Sequence, residues 1–140
     1  MPAAAASQDL AQIRYRQALA AEWGVPVGAR ILEIACGQGD MSAVLAQAAG
    51  ATGHVTGVDI ASPDYGAPLT LGEATARLQA GPLGDRLTFR LQTDLLDEAV
   101  TFPDDAFDAA VLAHGAWYFA SQAHLRATQR RVRRWEPRLH

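Results

Sequence analysis

The chain has 140 residues, 49% hydrophobic and 19% charged, and a formal net charge of −3. That length suits one domain, and that composition excludes a chain disordered throughout. A single cysteine, Cys36, excludes an intrachain disulfide and any multi-cysteine metal site, and fits a reducing compartment.

The opening MPAAAASQDL has no basic stretch ahead of an apolar core, so no signal peptide is expected. No apolar run approaches the roughly 18 residues of a membrane span. A cytoplasmic protein outside the membrane is the expectation. All 12 basic residues are arginine. Six of them (Arg126, Arg130, Arg131, Arg133, Arg134 and Arg138) fall in the last 15 residues, opposed there only by Glu136. Such a tail suits nucleic acid or an acidic membrane surface. In a chain rich in alanine and arginine the simpler reading is a solvated helix face, and a nucleic-acid partner is not expected.

In chain order, Ser7 caps a predicted helix running to Glu22, with Leu10, Ile13, Ala20 and Trp23 as a broken apolar stripe. Gly24, Pro26 and Gly28 end it. Ile31 to Cys36 is nearly continuous in apolar character and predicts a strand buried on both faces. A tight turn over Gly37 to Asp40 leads to a helix over Ser42 to Ala49. His54 to Ile60 is a second short strand rich in β-branched residues. Residues 61 to 70 read as a loop, and the chain then turns helical towards Leu78. Leu87 to Gln92 alternates as a third strand, and Asp94 closes it. A turn at Phe102 to Asp105 precedes a fourth buried strand, Phe107 to Ala113. Ser121 caps a last helix running to Trp135, which Pro137 stops. Alternating β and α units predict one α/β domain over residues 1 to 140, a parallel sheet with helices on its faces.

In such sheets ligands sit at the carboxyl ends of the strands, where the strand order reverses. The first strand ends in Cys36-Gly37-Gln38-Gly39, a tight turn whose bare backbone lets a ligand approach. Asp59 follows 20 residues beyond Gly39 and suits the paired hydroxyls of a ribose, because a carboxylate accepts several hydrogen bonds. The alternative is a strand-end aspartate that caps the next turn. Asp94 is placed to meet the adenine end of a nucleoside. Glu33 discriminates between cofactors. A carboxylate beside the turn opposes a pyrophosphate, and the dinucleotide pattern G-x-G-x-x-G is incomplete, with Ser42 at its third position. A cationic ligand would gain from the same carboxylate. S-adenosylmethionine joins adenine, ribose, ammonium and sulfonium. The alternative for Glu33 is a structural acid bonded to backbone amides or an arginine.

The stretch Glu33-Ile-Ala-Cys-Gly-Gln-Gly39 resembles the first motif of class I S-adenosylmethionine-dependent methyltransferases of the small-molecule type. Val58-Asp59-Ile60 resembles the second motif and Gln92-Thr93-Asp94 the adenine-contacting third. Phe102-Pro-Asp-Asp-Ala-Phe107-Asp108, followed by AVLAH, is similar to the fourth-strand signature. The resemblance runs from about residue 10 to 125, and four motifs in the right order are more specific than any one. It implies a Rossmann-like, doubly wound, three-layer α/β/α fold. It also implies an S-adenosylmethionine pocket lined by Glu33, Ala35, Gly37, Gly39, Asp59, Ile60, Asp94, Leu95 and Ala113. The sequence departs from the family at Ala35, where glycine is usual, so a methyl group there would crowd the cofactor.

His114 is the candidate general base in the loop HGAWYF, and Trp117 and Tyr118 offer aromatic faces to a cation. Methyl transfer often needs only positioning and desolvation, so no base is required. His54, His124 and His140 lack metal-ligand spacing, and no metal site is expected. The resemblance also implies seven strands, of which this sequence supplies four. The expectation is an amino-terminal portion that ends after the fourth strand and the following helix. Its fourth strand would form an exposed edge, open to pairing with a second copy. The implied function is methyl transfer to a small molecule. The alternative is an inactive cofactor-binding module, or a fragment that acts only with a partner.

Overall fold

The computed structural model describes residues 3–112 and 122–135. Its elements run α1 (Ala3–Trp23), β1 (Arg30–Ile34), α2 (Asp40–Ala49), β2 (His54–Val58), α3 (Leu71–Ala80), β3 (Leu87–Arg90), β4 (Ala109–Val111) and α4 (Gln122–Val132). The elements follow the expected order, but their ends move. Helix α1 starts at Ala3, which places Ser7 inside the helix and not at its cap. Helix α2 starts at Asp40, directly on the glycine turn. Strand β3 stops at Arg90, which leaves Asp94 in the loop beyond it. The expected cap at Ser121 lies outside the described residues.

The four strands are parallel, in the order β3-β2-β1-β4. The chain winds outward from β1 through β2 to β3, then crosses back to place β4 on the other side of β1. Register ties the centre of β1 to both neighbours: Glu33 lies opposite Gly57 of β2 and Val111 of β4. The order therefore reverses between β1 and β4, and the carboxyl end of β1 stands at the switch.

Both faces of the sheet are covered, as the unbroken apolar runs require. On one face Ile31, Val55, Leu87 and Val111 pack against Ala20 of α1 and against Met41, Val44, Leu45 and Ala49 of α2, with Leu78 of α3 at the margin. On the other, Leu32, Ile34, Val58 and Ala110 meet Val132 of α4, with Trp135 just beyond it. The connection from β3 to β4 crosses this second face and buries Leu95, Val100 and Phe107 on the way. The result is three layers. The arginines of α4 divide accordingly: Arg126, Arg130, Arg133 and Arg134 are exposed, while Thr128, Val132 and Trp135 turn inward.

Local chemistry supports the elements. Thr70 accepts the Glu73 N–H at 3.1 Å, and its hydroxyl donates to the Glu73 carboxylate at 3.0 Å, which opens α3 with a reciprocal cap. Leu45 is fully buried between α2 and the sheet. Truncating Leu45 to alanine is expected to cost about 2–5 kcal/mol of unfolding free energy, measured by urea denaturation.

Candidate functional site

Three chain segments leave the carboxyl ends of β1, β2 and β3, and the backbone sews them together. The Cys36 N–H reaches the Val58 carbonyl at 3.0 Å, the Gln92 N–H the Ala61 carbonyl at 2.9 Å, and the Thr93 N–H the Asp59 carbonyl at 2.9 Å. Asp59 adds its side chain. One carboxylate oxygen accepts the Gly37 N–H at 2.9 Å and the other accepts the Ala61 N–H at 2.9 Å. A carboxylate offers about four acceptor positions, so two of them are not used by these bonds, on a residue that is 2% exposed. The loop after β3 carries Asp94, half-buried, whose carboxylate accepts the Leu96 N–H at 2.9 Å. The first three sequence motifs thus share one end of the sheet.

The two glycines of the turn do different things. Gly37 has φ +57°, and a side chain built on it would meet no atom within 4 Å, so its bare face looks onto open space. Gly39, at φ +89°, is buried, and a Cβ there would lie 2.7 Å from Leu78 and 3.1 Å from Phe89. Gly39 lets α2 start close against α3 and β3, whereas Gly37 leaves room beside the Asp59 carboxylate. Ala35 also sits at positive φ, +59°. A glycine there would serve a left-handed backbone that L-residues adopt at a cost of about 1–2 kcal/mol. The departure from the family pattern therefore falls on backbone strain, in addition to any crowding by the methyl group.

Glu33 points to the α1–α2 face and is 3% exposed. The Ser42 hydroxyl of α2 donates to its carboxylate. Burial pushes the Glu33 carboxyl up from 4.5 to about 8; the Ser42 bond opposes this shift, Asp40 and Asp59 reinforce it, and Arg16 opposes it. A carboxyl titrating near 8 carries a proton at pH 7 in the protein alone. The expectation of a standing negative charge at Glu33 is corrected to that extent. Its charge appears when a cation compensates for the burial. Beside it, burial first and then the Glu33 and Asp59 carboxyls push the Cys36 thiol up, so this cysteine is not a thiolate nucleophile.

Ile60, directly after Asp59, is 48% exposed and offers an apolar surface at the site's rim. Leu95 is buried in the second core cluster, so what it can offer a ligand is its main chain. Ala113, His114, Trp117 and Tyr118 lie outside the described residues. Sequence reasoning missed three contributors. Ser42 pairs with Glu33; the signal was a hydroxyl nine residues on, one helical turn past the glycines. Gln38 donates to the Leu69 carbonyl at 2.9 Å and fastens the turn to the loop ahead of α3. Arg16 of α1 reaches Asp40 at 3.8 Å. Among the described residues no group of three or more acids, histidines or cysteines could hold a metal, and no helix is long and apolar enough to cross a membrane.

The pattern of a family described as a methyltransferase domain matches residues 31–137. The chain belongs to the class I methyltransferase family. Among curated relatives, this methyltransferase domain is 36% identical to methyltransferase phomM' of Diaporthe leptostromiformis, over 67% of this chain and 28% of that protein. It is 36% identical to 2-phytyl-1,4-naphtoquinone methyltransferase of Synechococcus elongatus, over 69% of this chain and 38% of that one. The solved structure of a cyclopropane-fatty-acyl-phospholipid synthase-like protein from Lactobacillus casei superposes with a TM-score of 0.83 at 54% identity, over 89% of this chain and 46% of that one. The chain therefore spans less than half the length of these three relatives. A SAM dependent methyltransferase from Aquifex aeolicus shares the fold, with a TM-score of 0.67 at 15% identity, over 86% of this chain and 57% of that one.

Two outcomes follow for the methyltransferase domain. Replacing Ala35 with glycine is expected to raise stability by about 1 kcal/mol in chemical denaturation, relief of the left-handed backbone outweighing the added freedom of the unfolded chain. Because the folded Glu33 holds its proton up to about pH 8 and the unfolded one only to 4.5, its contribution is full below 4.5 and is lost as pH rises through 8. The unfolding free energy of the parent should therefore fall relative to Glu33→Gln between about pH 4.5 and 8, measured by denaturation at several pH values.

Proposed function

We propose that this methyltransferase domain binds S-adenosylmethionine at the carboxyl ends of β1 to β3, and that the intact enzyme methylates a small molecule. The observation that carries the reading is the open face of Gly37 next to the Asp59 carboxylate. Bare backbone there admits a ribose to within hydrogen-bonding distance of an acid already fixed by two N–H groups. The free lone pairs of Asp59 take the ribose hydroxyls. Ile60 supplies an apolar surface for the base, and the Asp94 loop borders the base's edge.

When bound, S-adenosylmethionine supplies an electrophilic methyl group on a sulfonium. The protein's own contribution is placement and charge. Glu33, Asp40 and Asp59 stand around the glycine turn, and a ligand cation near Glu33 offsets the desolvation that holds this carboxyl protonated. A nicotinamide dinucleotide fits less well, since its pyrophosphate would face these acids and the turn lacks a third glycine. The relatives named for a naphthoquinone and for a fatty-acyl-phospholipid synthase support a small acceptor. The buried free Cys36 suits a reducing compartment such as the cytoplasm. The outer edge of β4, which pairs with no further strand among the described residues, is the surface on which a further strand or a second copy would add.

Calorimetry with S-adenosylhomocysteine tests the cofactor reading. Binding is expected for the parent, with a loss of roughly ten- to hundredfold in Asp59→Ala, the range for hydrogen bonds to a charged acceptor. Circular dichroism shows whether the variant is folded. No binding by the parent would overturn the proposal. Binding with transfer of a labelled methyl group to a small acceptor supports the enzyme, and binding without transfer supports an inactive module.

A further inference from the structure

Gln38 is the one residue of Gly37-Gln38-Gly39 with a side chain, and that side chain is engaged within the protein. Half-buried, it donates from its amide nitrogen to the Leu69 carbonyl at 2.9 Å, 31 residues further along the chain. Among the described residues this is the only hydrogen bond between the turn and the loop of residues 61–70.

The two partners of this bond differ in stiffness. The loop is braced against the start of α3, where the Leu71 N–H reaches the Tyr65 carbonyl at 2.9 Å and the Gly72 N–H the Pro63 carbonyl at 2.8 Å. Contact there is close, since a Cβ on Gly72 would lie 3.0 Å from the Pro63 Cβ. Inside the loop, Ser62 accepts the Tyr65 N–H with its carbonyl and the Asp64 N–H with its hydroxyl. The turn is the softer partner. It holds two glycines at positive φ, and glycine loses more freedom than any other residue when it is fixed. Its own backbone closes with the Gly39 N–H on the Cys36 carbonyl at 3.1 Å, and Asp59 holds the Gly37 N–H at its first residue. Gln38 ties the middle of the turn to the stiff loop. A ligand laid against Gly37 then meets backbone that is already set and is spared the cost of ordering it.

We propose that Gln38 is a positioning residue: through the Leu69 carbonyl it seats the glycine turn on the 61–70 loop and so sets the ligand affinity of the site. The inference rests on the cofactor reading above and deepens it. Coupling of this kind is reciprocal, so an occupied site tightens the loop by the factor that the loop adds to binding.

The test uses S-adenosylhomocysteine and the full chain. Gln38→Met keeps the length of the side chain and loses the donor, and it is expected to weaken binding by roughly two- to tenfold in calorimetry, the range of one neutral hydrogen bond. A merely structural Gln38 would lower the denaturation midpoint and leave the affinity of the folded variant at the parent's value; that result overturns the assignment. Hydrogen exchange at the Leu71 and Gly72 amides reads the coupling directly. Saturating ligand should slow it in the parent by about the same factor, and not in Gln38→Met. Equal slowing in the two proteins overturns the proposal, and so does no slowing in the parent, whether or not the variant folds. Absence of binding by the parent sinks the cofactor reading itself, and this proposal with it.

Discussion

The site depends on one carboxylate that joins two loops. Asp59 takes the N–H of Gly37 with one oxygen and the N–H of Ala61 with the other. Without it, the turn after β1 and the loop after β2 would each leave an N–H unpaired at a half-buried position, and their separation would rest on the Cys36–Val58 backbone bond. The sheet supplies the approximate alignment, since β1 and β2 pair in register from Arg30 opposite His54 to Ile34 opposite Val58. The carboxylate continues that alignment beyond the last paired residue. Such a group can position a ligand and hold the fold at once, because its two bonds within the chain use only half of its acceptor positions.

Glu33 adds an electrostatic response to this frame. An acid among apolar side chains resolves its cost by keeping its proton, and its carboxyl is accordingly pushed up to about 8. Ser42 satisfies it and Arg16 eases it, neither strongly enough to restore an ordinary acid. Uptake of a cation beside Glu33 therefore carries a proton cost at pH 7 that the ligand's charge must offset. The same position would tolerate a neutral polar ligand with little penalty, so selection for charge has to come from the whole cluster and not from Glu33 alone.

The fold was legible because its signals are additive. Four apolar runs of strand length, separated by glycine, proline and helix-length spacers, leave few alternatives to a parallel sheet, and Ile31 to Ile34 proved buried on both faces. The ends of elements were less legible. Ser7 looked like a cap, yet α1 extends to Ala3 through four consecutive alanines, whose helix propensity carries the helix past a capping residue. Glu33, Asp59 and Asp94 were picked out through their spacing near the ends of successive strands, and the structure brings the segments that carry them to one end of the sheet. Ser42 and Arg16 were not, because their relevance comes from packing of α1 and α2 over the sheet, which no local pattern encodes. The backbone strain at Ala35 lay equally out of reach, since a φ angle is not written in composition.

The support of Asp94 has a similar non-local origin. The crossing from β3 to β4 has no regular helix, and a loop of this length would be a poor wall for a binding site without external restraint. Arg131 of α4 supplies it, donating to the carbonyls of Val100 at 2.6 Å and Asp97 at 3.2 Å, with its guanidinium 5.3 Å from the Trp135 ring. Phe102 packs edge-on to both Phe107 and Trp135, at 5.0 and 5.1 Å, and Arg90 lies over its ring. The end of α4 closes the frame, where the Trp135 carbonyl accepts the Phe107 N–H at 3.0 Å. The arginine-rich helix thus does two things with one residue type. Its outer arginines are a solvated face, while the inward Arg131 substitutes for the missing helix by holding open carbonyls of the loop that carries Asp94. Through Arg131 the basic segment is in this sense part of the scaffold of the loop that carries Asp94.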